Sequence, residues 1–279
     1  MASRAVLITG CSSGIGHATA ARLAGKGWTV YATARRPEML SELEALGCRT
    51  LALDVTDEES MASAVRTVEQ AEGAVGVLVN NAGYSQSGAV ESIPLDRLRA
   101  QFETNVFGLV RMCQLVLPGM RAQRSGRIVN LSSMGGRLTF PGGGAYHATK
   151  YAVEALSDAL RFEVAGFGVR VIVIEPGLIR TRFGETAVGG IEEDTGPYAD
   201  FNVAVGRATA GAYETGALAR LGGPPEAVAE RIADALGARR PRARYTVTPS
   251  ARFMIGQHAL LRDRGWDALM RTQFPRPGK

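Results

Sequence analysis

The sequence predicts an α/β fold in a single domain, a doubly wound sheet of about seven mainly parallel strands with helices on both faces. Short apolar runs typical of buried strands alternate along the chain with longer helix-compatible segments. No internal repeat, long linker or low-complexity block interrupts this alternation over 279 residues, of which 46% are hydrophobic. Such a chain can bury one large core, so residues 1–279 are expected to form one domain.

The individual elements follow from the spacing of apolar residues. Strands are predicted at residues 4–9, 28–33, 49–53, 75–79, 127–131, 169–174 and 244–248. Helices are predicted from the first glycine-rich turn to residue 26 and at 38–46, 57–71, 95–124, 146–165 and 225–239. Pro118 lies inside the longest of these patterns and is expected to kink or end that helix, because proline lacks the N–H that a helix interior needs.

Composition gives no sign of a membrane span or of a disulfide framework. No apolar run approaches the ~20 residues that cross a bilayer. The first apolar stretch is too short for a signal peptide and is interrupted by Gly10 and Ser12. Cys11, Cys48 and Cys113 are odd in number and scattered. We therefore expect reduced thiols and a cytoplasmic location.

The chain carries a net charge of +5, and its most basic run is Arg-Arg-Pro-Arg-Ala-Arg at residues 239–244. A nucleic-acid surface is one interpretation of this run. No interleaved aromatic residues or binding motif accompany it, so a solvated helix end that leads into a strand is favoured and no nucleic-acid partner is expected. His17 and His258 lie far apart without a ligand pattern, so no metal is expected.

A glycine-rich turn, Thr9-Gly10-Cys11-Ser12-Ser13-Gly14-Ile15-Gly16, joins the first predicted strand to the first helix. Glycines at such a turn let the backbone approach a ligand closely, and the N–H groups of the following helix point at that ligand. A tight turn alone would also use glycine, but the position between strand and helix favours a bound dinucleotide. The first two glycines are more widely spaced than in the common G-x-G-x-x-G fingerprint.

The residues after the second predicted strand should decide which dinucleotide binds. A site for NAD commonly has a carboxylate there for the ribose 2′-OH, whereas the 2′-phosphate of NADP(H) needs a cation. The chain has Arg35 and Arg36 at this point and no acidic residue. The alternative is a pair of surface arginines. Because guanidinium groups pair well with phosphate, the sequence favours NADP(H) over NAD(H).

Tyr146 and Lys150 lie four residues apart in a helical pattern and therefore share one face of the helix. A free tyrosine has a pKa near ~10 and is a poor acid or base at neutral pH. A nearby ammonium group is expected to stabilise the phenolate and lower that pKa. Such pairs also occur by chance, so the assignment depends on the rest of the chain. Ser133, after the fifth predicted strand, is a further candidate.

From residue 4 to residue 183 the chain resembles the short-chain dehydrogenase/reductase family, in its single-domain branch with a Rossmann-type sheet. Several motifs carry the resemblance in order. They are the glycine-rich turn at 9–16, Asp54-Val55, Asn80-Asn81-Ala82-Gly83, Asn105, Ser133, Tyr146 with Lys150, and Pro176-Gly177-Leu178-Ile179-Arg180-Thr181.

The resemblance implies a role for each of these positions. Catalysis is implied for Asn105, Ser133, Tyr146 and Lys150. Contacts with the cofactor are implied for Gly10, Ser12, Ser13, Gly14, Ile15, Gly16, Arg35, Arg36, Asp54, Val55, Asn81, Ala82, Gly83, Tyr146, Lys150, Pro176, Gly177, Ile179 and Thr181. In this family the tyrosine exchanges a proton with the substrate oxygen, the serine holds that oxygen, and the lysine also holds the nicotinamide ribose. The asparagine organises a water that links the lysine to solvent.

The expected activity is that of an NADP(H)-dependent alcohol oxidoreductase, which interconverts a ketone or aldehyde and an alcohol by hydride transfer. The glycine-rich turn, together with residues 30–35, resembles members that act on lipophilic or cyclic substrates of steroid, retinoid or polyketide type. One alternative is a non-catalytic dinucleotide sensor or scaffold, which would not need all four catalytic residues. A nucleotide-sugar epimerase or dehydratase is disfavoured by the short C-terminal part and by the glycine spacing.

Substrate choice should depend on the part of the chain after Thr181, where the resemblance thins. Residues 183–223 are expected to form a lid, or a pair of helices that only pack. Residues 250–279 are expected to form a partly helical tail that covers the pocket or joins a subunit contact, and a membrane-surface role is less favoured. The resemblance also implies a homodimer or homotetramer through helices 95–124 and 146–165.

Two features beside the tyrosine are open at this point. His147 points roughly 100° away from Tyr146 on a helix, so we expect it in packing or at the surface. Three glycines at residues 142–144 either form a mobile loop or make a tight path into the helix.

Overall fold

The centre of the fold is a sheet of seven strands. They are β1 Ala5–Ile8, β2 Thr29–Ala34, β3 Arg49–Ala52, β4 Val77–Asn80, β5 Gly126–Leu131, β6 Val169–Pro176 and β7 Arg244–Val247. Their order is β3-β2-β1-β4-β5-β6-β7, and every neighbouring pair is parallel. The computed structural model describes residues 3–181, 183–191, 196–214 and 219–277.

Helices connect the strands and cover both faces of the sheet. Those of the described chain are α1 Gly14–Ala24, α2 Ser41–Ala45, α3 Glu58–Glu72, α4 Leu95–Phe102, α5 Gly108–Ala122, α6 Gly144–Glu163, α7 Phe183–Gly189, α8 Ala199–Glu214, α9 Pro225–Gly237 and α10 Pro249–Met270. The side chain of Asp57 caps α3, because its Oδ1 accepts a hydrogen bond of 2.9 Å from the backbone N–H of Ser60.

Alternate residues of each strand face opposite sides of the sheet and build two separate cores. Val6 and Ile8 of β1 pack in the core that contains residues of α1 and α9. Ala5 and Leu7 pack in the core that contains residues of α3, α5 and α6. The inner strands β1, β2, β4, β5 and β6 are buried on both faces, which is why they are mostly continuous apolar runs in the sequence.

The predicted fold class is confirmed, and the sheet is parallel throughout rather than mainly parallel. The observed strand ends differ from the predicted ones by two residues at most. The helices predicted at 57–71 and 146–165 are observed at Glu58–Glu72 and Gly144–Glu163.

The pattern at residues 95–124 folds as two helices rather than one. A π-helical turn at Glu103–Phe107 separates α4 from α5. Pro118 was expected to kink or end the helix; it lies inside α5, which continues to Ala122, so the helix does not end there. The N–H that proline lacks would have bonded to the carbonyl of Gln114. Both residues are on the exposed side of α5, where water can satisfy that carbonyl.

The tail helix α10 packs against the loops that follow β5 and β6. Met254, Trp266 and Met270 of α10 form a third apolar cluster with residues that follow β5 and β6. Trp266 donates a hydrogen bond of 2.9 Å from its Nε1 to the carbonyl of Thr139. Arg262 has φ 53° and ψ −173°, so α10 consists of two helical segments joined at a kink. The tail is therefore helical on both sides of one irregular residue.

The expected lid at residues 183–223 contains α7, α8 and a short 3₁₀ turn at Ala219–Leu221. Parts of the predicted lid and tail, namely residues 192–195, 215–218 and 278–279, lie outside the described residues, as does residue 182 before the lid. No helix among the described residues is long and apolar enough to cross a membrane. The three cysteines are unpaired and buried, and burial raises the pKa of Cys11 and of Cys113 to about 12.

Buried carboxylates join α6 to the sheet through one arginine. Arg244 of β7 bonds to Oε2 of Glu154 at 2.8 Å and to Oδ2 of Asp158 at 2.6 Å. Its Nε also lies 3.5 Å from Oε1 of Glu175 on β6, a carboxylate that Arg137 contacts at 2.9 Å. Glu154 and Glu175 are almost fully buried. Burial raises the pKa of Glu154 despite its bond to Arg244. The cluster therefore anchors the buried face of α6 to the sheet.

We predict that Arg244→Met lowers the free energy of unfolding by on the order of 3 kcal/mol at neutral pH, because it leaves two buried carboxylates with too little positive charge. Urea denaturation followed by circular dichroism measures the loss. The matched control is Arg161→Met, since Arg161 pairs with the same Asp158 at the surface and should cost less than about 1 kcal/mol. Equal losses of unfolding free energy in the two variants would contradict a stabilising role for Arg244 in the carboxylate cluster.

Candidate active site

The carboxyl edge of the sheet carries a cavity of about 570 Å³. It opens where β1 pairs with β2 on one side and with β4 on the other, so the connections of the two halves of the sheet run in opposite directions. Such a reversal leaves a crevice in which doubly wound folds bind ligands. The loops after β1, β4, β5 and β6 all contribute to its wall.

The glycine-rich turn after β1 forms one wall of the cavity. Gly10 has φ 73°, a conformation that side chains rarely adopt, and a Cβ there would lie 2.9 Å from Cα of Ala82. Gly10, Ser12, Ser13, Gly14 and Ile15 line the cavity, whereas Gly16 packs behind the turn against the carbonyl of Gly10. α1 begins at Gly14, so its N-terminal N–H groups point toward the cavity.

The turn is tied to the end of β4 by polar contacts. Asn81 donates from Nδ2 to the carbonyls of Thr9 and Gly10, each at 2.9 Å. The hydroxyl of Thr9 accepts from the backbone N–H groups of Asn81 and Ala82, each at 3.0 Å. Asn81, Ala82 and Gly83 line the cavity. A backbone cradle of this kind, held rigid and free of side chains, fits the pyrophosphate of a dinucleotide.

The far end of the same wall comes from β2 and β3. Arg35, Asp54 and Val55 line the cavity, and Arg36 does not. Both arginines are exposed, and neither pairs with an acidic residue in the part of the chain that the structure describes. One oxygen of Asp54 accepts hydrogen bonds from the N–H and hydroxyl of Thr56 at 2.9 and 2.8 Å, so the second oxygen is free of these bonds.

The structure brings Ser133, Tyr146 and Lys150 together in the middle of the cavity. Tyr146 and Lys150 occupy the first two turns of α6, and Ser133 follows β5. The hydroxyl of Ser133 accepts from the N–H of Gly135 at 3.1 Å and hydrogen-bonds to Tyr146. Lys150 donates from Nζ to the carbonyl of Leu131 at 2.7 Å, and this nitrogen lies 5.7 Å from the centre of the Tyr146 ring.

Burial dominates the ionisation of this group. It raises the pKa of Tyr146, to which Tyr213 adds, while the hydrogen bond from Ser133 acts in the opposite direction. Burial also lowers the pKa of Lys150 to about 8, although Glu154 opposes that shift. The expectation that Lys150 lowers the pKa of Tyr146 is therefore not met. The ammonium is itself desolvated and is directed at the carbonyl of Leu131.

Asn105 lies behind the cavity rather than in its wall. It sits in the π-helical turn between α4 and α5 and is almost fully buried. Its Oδ1 accepts from the N–H of Tyr84 at 3.1 Å, and its Nδ2 donates to the carbonyl of Tyr84 at 2.9 Å and to the hydroxyl of Thr149 at 3.2 Å. π-turns occur frequently at functional sites. Here the turn fixes the loop after β4 against α6.

The loop after β6 closes another side of the site and reaches the glycine-rich turn, since a Cβ on Gly14 would lie 3.2 Å from Cγ2 of Thr181. Pro176, Gly177, Ile179 and Thr181 line the cavity. The backbone there is held by the segment before α9, because Arg180 donates its N–H to the carbonyl of Gly223 at 2.9 Å. Gly177 packs so closely on the start of α10 that a Cβ would overlap Ser250.

The rest of the wall is mostly apolar and comes from segments late in the chain. Its apolar members include Met134, Phe140, Leu178, Phe183, Val205, Ala212, Met254 and Phe274. These residues belong to the loops after β5 and β6, to α7 and α8, and to the tail. Residues of the predicted lid and tail therefore line the cavity at these positions.

Several polar residues of the wall were not predicted from the sequence as site residues, among them His147 and Tyr213. His147 was expected in packing or at the surface, and it is buried within the cavity wall. Burial raises the pKa of Tyr213 to about 12. Its sequence signal was only one of several aromatic residues spaced along 183–223. Among the described residues, no group of three or more His, Cys, Asp or Glu side chains could hold a metal ion.

Known proteins share this architecture. "Oxidoreductase BOA17" of Botryotinia fuckeliana is 38% identical over 259 residues, which cover 90% of this chain and 91% of that protein. An NADPH-dependent 3-dehydrocapnine reductase of Ornithobacterium rhinotracheale is 34% identical over 276 residues, or 95% of each protein. A solved short-chain dehydrogenase from Streptomyces avermitilis has a TM-score of 0.79 and 35% identity, and the likeness covers 98% of each chain.

A family model described as "short chain dehydrogenase" matches residues 4–189, which include the glycine-rich turn, Ser133, Tyr146 and Lys150. With relatives and a solved structure that agree over nearly the whole length, the chain belongs to the short-chain dehydrogenase family.

Proposed function

We propose that the protein is an NADP(H)-dependent oxidoreductase that interconverts a lipophilic or cyclic ketone, or an aldehyde, with the corresponding alcohol. The observation that carries this proposal is the meeting of Ser133, Tyr146 and Lys150 in one cavity. A backbone cradle suited to a dinucleotide lies on one side of these residues, and a largely apolar compartment lies on the other.

The cofactor would lie along the wall made by the glycine-rich turn, Asp54, Val55 and the loop Pro176–Thr181. The N–H groups at the start of α1 would hold its pyrophosphate, and Lys150 with Tyr146 would hold the nicotinamide ribose. When bound, the nicotinamide supplies or accepts the hydride. Arg35 and Arg36 support NADP(H), because they are exposed beside the end of β2 and have no acidic partner among the described residues.

The protonation state of Tyr146 favours the reducing direction near neutral pH. An acid catalyst must carry its proton, and burial holds the pKa of Tyr146 above its ordinary value. In reduction its hydroxyl would give a proton to the substrate oxygen, while Ser133 fixes that oxygen by a hydrogen bond. In oxidation the phenolate is needed, so that direction gains from high pH. Asn105 bonds to Thr149 of α6 and to the carbonyl of Tyr84, and so fixes α6 against the loop after β4 behind Tyr146 and Ser133.

The substrate class follows from the compartment beyond Tyr146. Its wall is lined by Phe140, Leu178, Phe183 and Met254, and apolar surface of this kind binds apolar ligands by excluding water. The similarity to an NADPH-dependent 3-dehydrocapnine reductase supports a reductase. We therefore infer a small lipophilic carbonyl compound as the substrate in the reducing direction.

Tyr146→Phe is expected to lower turnover by about a thousandfold, because it removes the proton donor and keeps the ring. Turnover is followed by the near-ultraviolet absorbance of NADPH against a panel of decalones, steroids, quinones and aldehydes. NADPH affinity, measured by fluorescence titration, should change little. Near-full activity of the variant would sink the assignment. Tight NADPH binding by the wild type, with no activity on any member of the panel, would instead support a sensor or scaffold.

Replacing Arg35 and Arg36 together by alanine should weaken NADPH binding by about tenfold or more, since charge-assisted bonds to the 2′-phosphate are lost. NADH lacks only that phosphate, so its affinity should stay constant and serves as the internal control. Arg170→Ala is a matched variant, because Arg170 is exposed at the amino end of β6, far from the cavity. A parallel loss for both dinucleotides would count against a 2′-phosphate site.

The lowered pKa of Lys150 predicts a pH dependence of stability. Its folded pKa of about 8 lies below the ordinary lysine value of 10.5, so the unfolded chain binds more protons between these two values. The stability of the wild type relative to Lys150→Met should therefore rise with pH through this window. The rise should reach up to about 3 kcal/mol, at about 1.4 kcal/mol for each pKa unit. Urea denaturation at several pH values measures it, and parallel curves for the two proteins would contradict the shift.

A further inference from the structure

His147 lies beside the catalytic candidate on α6 and faces the same cavity. Its ring centre is 5.7 Å from that of Tyr146 and 5.8 Å from that of Phe140. The side chain is 7% exposed. The imidazole is therefore part of the wall on which a substrate of Tyr146 would rest, and none of the steps proposed above uses it.

The hydrogen bonding of His147 fixes which ring nitrogen carries the proton. Nδ1 lies 3.0 Å from the carbonyl oxygen of Gly135. A carbonyl oxygen only accepts, so Nδ1 must be the donor. Burial lowers the pKa of His147 to about 4, so the ring is neutral at physiological pH. Nε2 is then unprotonated and acts as an acceptor.

The surrounding backbone makes room for this ring. A Cβ on Gly143 would lie 2.5 Å from Nε2, and a Cβ on Gly135 would overlap the opposite edge of the ring. Glycine at these two positions therefore allows the imidazole to lie between two backbone segments. Gly143 thus leaves room for a histidine on the path into α6.

No residue of the described chain donates a hydrogen bond to Nε2 of His147. Nε2 is not one of the fully buried side-chain atoms without a partner, so water in the cavity can reach it. A ligand that displaces this water and brings a donor to Nε2 keeps the hydrogen bond. A ligand of the same shape without a donor leaves the acceptor buried and unpaired, which is unfavourable by about 1–3 kcal/mol. The contrast between two such ligands is the physical basis of specificity in polar sites.

We propose that His147 is a specificity-determining residue whose Nε2 accepts a hydrogen bond from a hydroxyl or amino group that the substrate carries near its reacting carbonyl. The inference rests on the proposed function and names a narrower substrate class, hydroxy ketones and amino ketones. The donor group belongs on the carbon next to the carbonyl or on the one after it, because the rings of His147 and Tyr146 adjoin.

Two substitutions separate this role from a structural one. His147→Asn keeps an amide donor near the position of Nδ1, where it can bond to Gly135, but removes the acceptor at Nε2. His147→Gln places an amide oxygen near the position of Nε2. If His147 only anchors the loop through Gly135, the asparagine variant should behave like the wild type for every ketone.

Reduction of α-hydroxyacetophenone and of propiophenone by the NADPH-loaded enzyme tests the inference, since the two ketones differ by one hydroxyl in place of a methyl group. The wild type should prefer the hydroxy ketone in kcat/KM. This preference should fall about tenfold in His147→Asn and be largely retained in His147→Gln. The kcat/KM for propiophenone should change little in either variant. An unchanged preference in His147→Asn, or none in the wild type, overturns the inference.

A second readout does not depend on turnover. The chain has three histidines, so the ¹⁵N spectrum of histidine-labelled protein is simple. His147→Gln identifies the signals of His147. Saturating α-hydroxyacetophenone with NADP⁺ present should move the Nε2 signal toward that of a hydrogen-bonded ring nitrogen, and propiophenone should not. A shift without turnover would support His147 as the acceptor and count against the proposed function. Turnover without a shift would count against His147 alone.

Discussion

The pairing of β1 with both β2 and β4 is the constraint on which the rest of the structure depends. Because all strands are parallel, every connection must return across a face of the sheet, and every loop that follows a strand emerges at the same edge. β1 sits where the connections change sides, so the turn after it faces open space. The close contact of Gly10 with Ala82 then brings the ends of β1 and β4 into one rigid wall.

Desolvation gives the site its electrical character. Lys150 and His147 are buried and Tyr146 is half-buried, and in each case desolvation favours the neutral form of the side chain. Their protons are thus controlled by individual hydrogen bonds rather than by solvent. The helix that bears them is held below by the charged cluster around Arg244, where burial is balanced by pairing. One helix thereby joins a polar anchor to the residues proposed for catalysis.

The sequence predicted the sheet well because parallel strands buried on both faces are continuous apolar runs that end at turn residues. It also predicted which residues meet at the carboxyl edge, as with Ser133, Tyr146 and Lys150. It could not place Asn105 behind the wall, since a π-turn leaves no mark in apolar spacing. Nor could it find His147, whose burial depends on the missing side chains of Gly135 and Gly143. The sequence also did not reveal that burial raises the pKa of Tyr146, because residue spacing carries no information about desolvation.

The contribution of the tail to the cavity wall has a consequence for how this protein can acquire new substrates. Met254, Gln273 and Phe274 contact the compartment from a segment that contains none of the groups proposed to handle protons or the dinucleotide. Mutations there can reshape the compartment while the chemistry stays intact. The range of substrates can thus change through mutations in the tail, while the type of reaction depends on residues earlier in the chain. A fusion or affinity tag placed after Phe274 would adjoin the recognition surface, so an assay for substrates calls for the tag at the N-terminus.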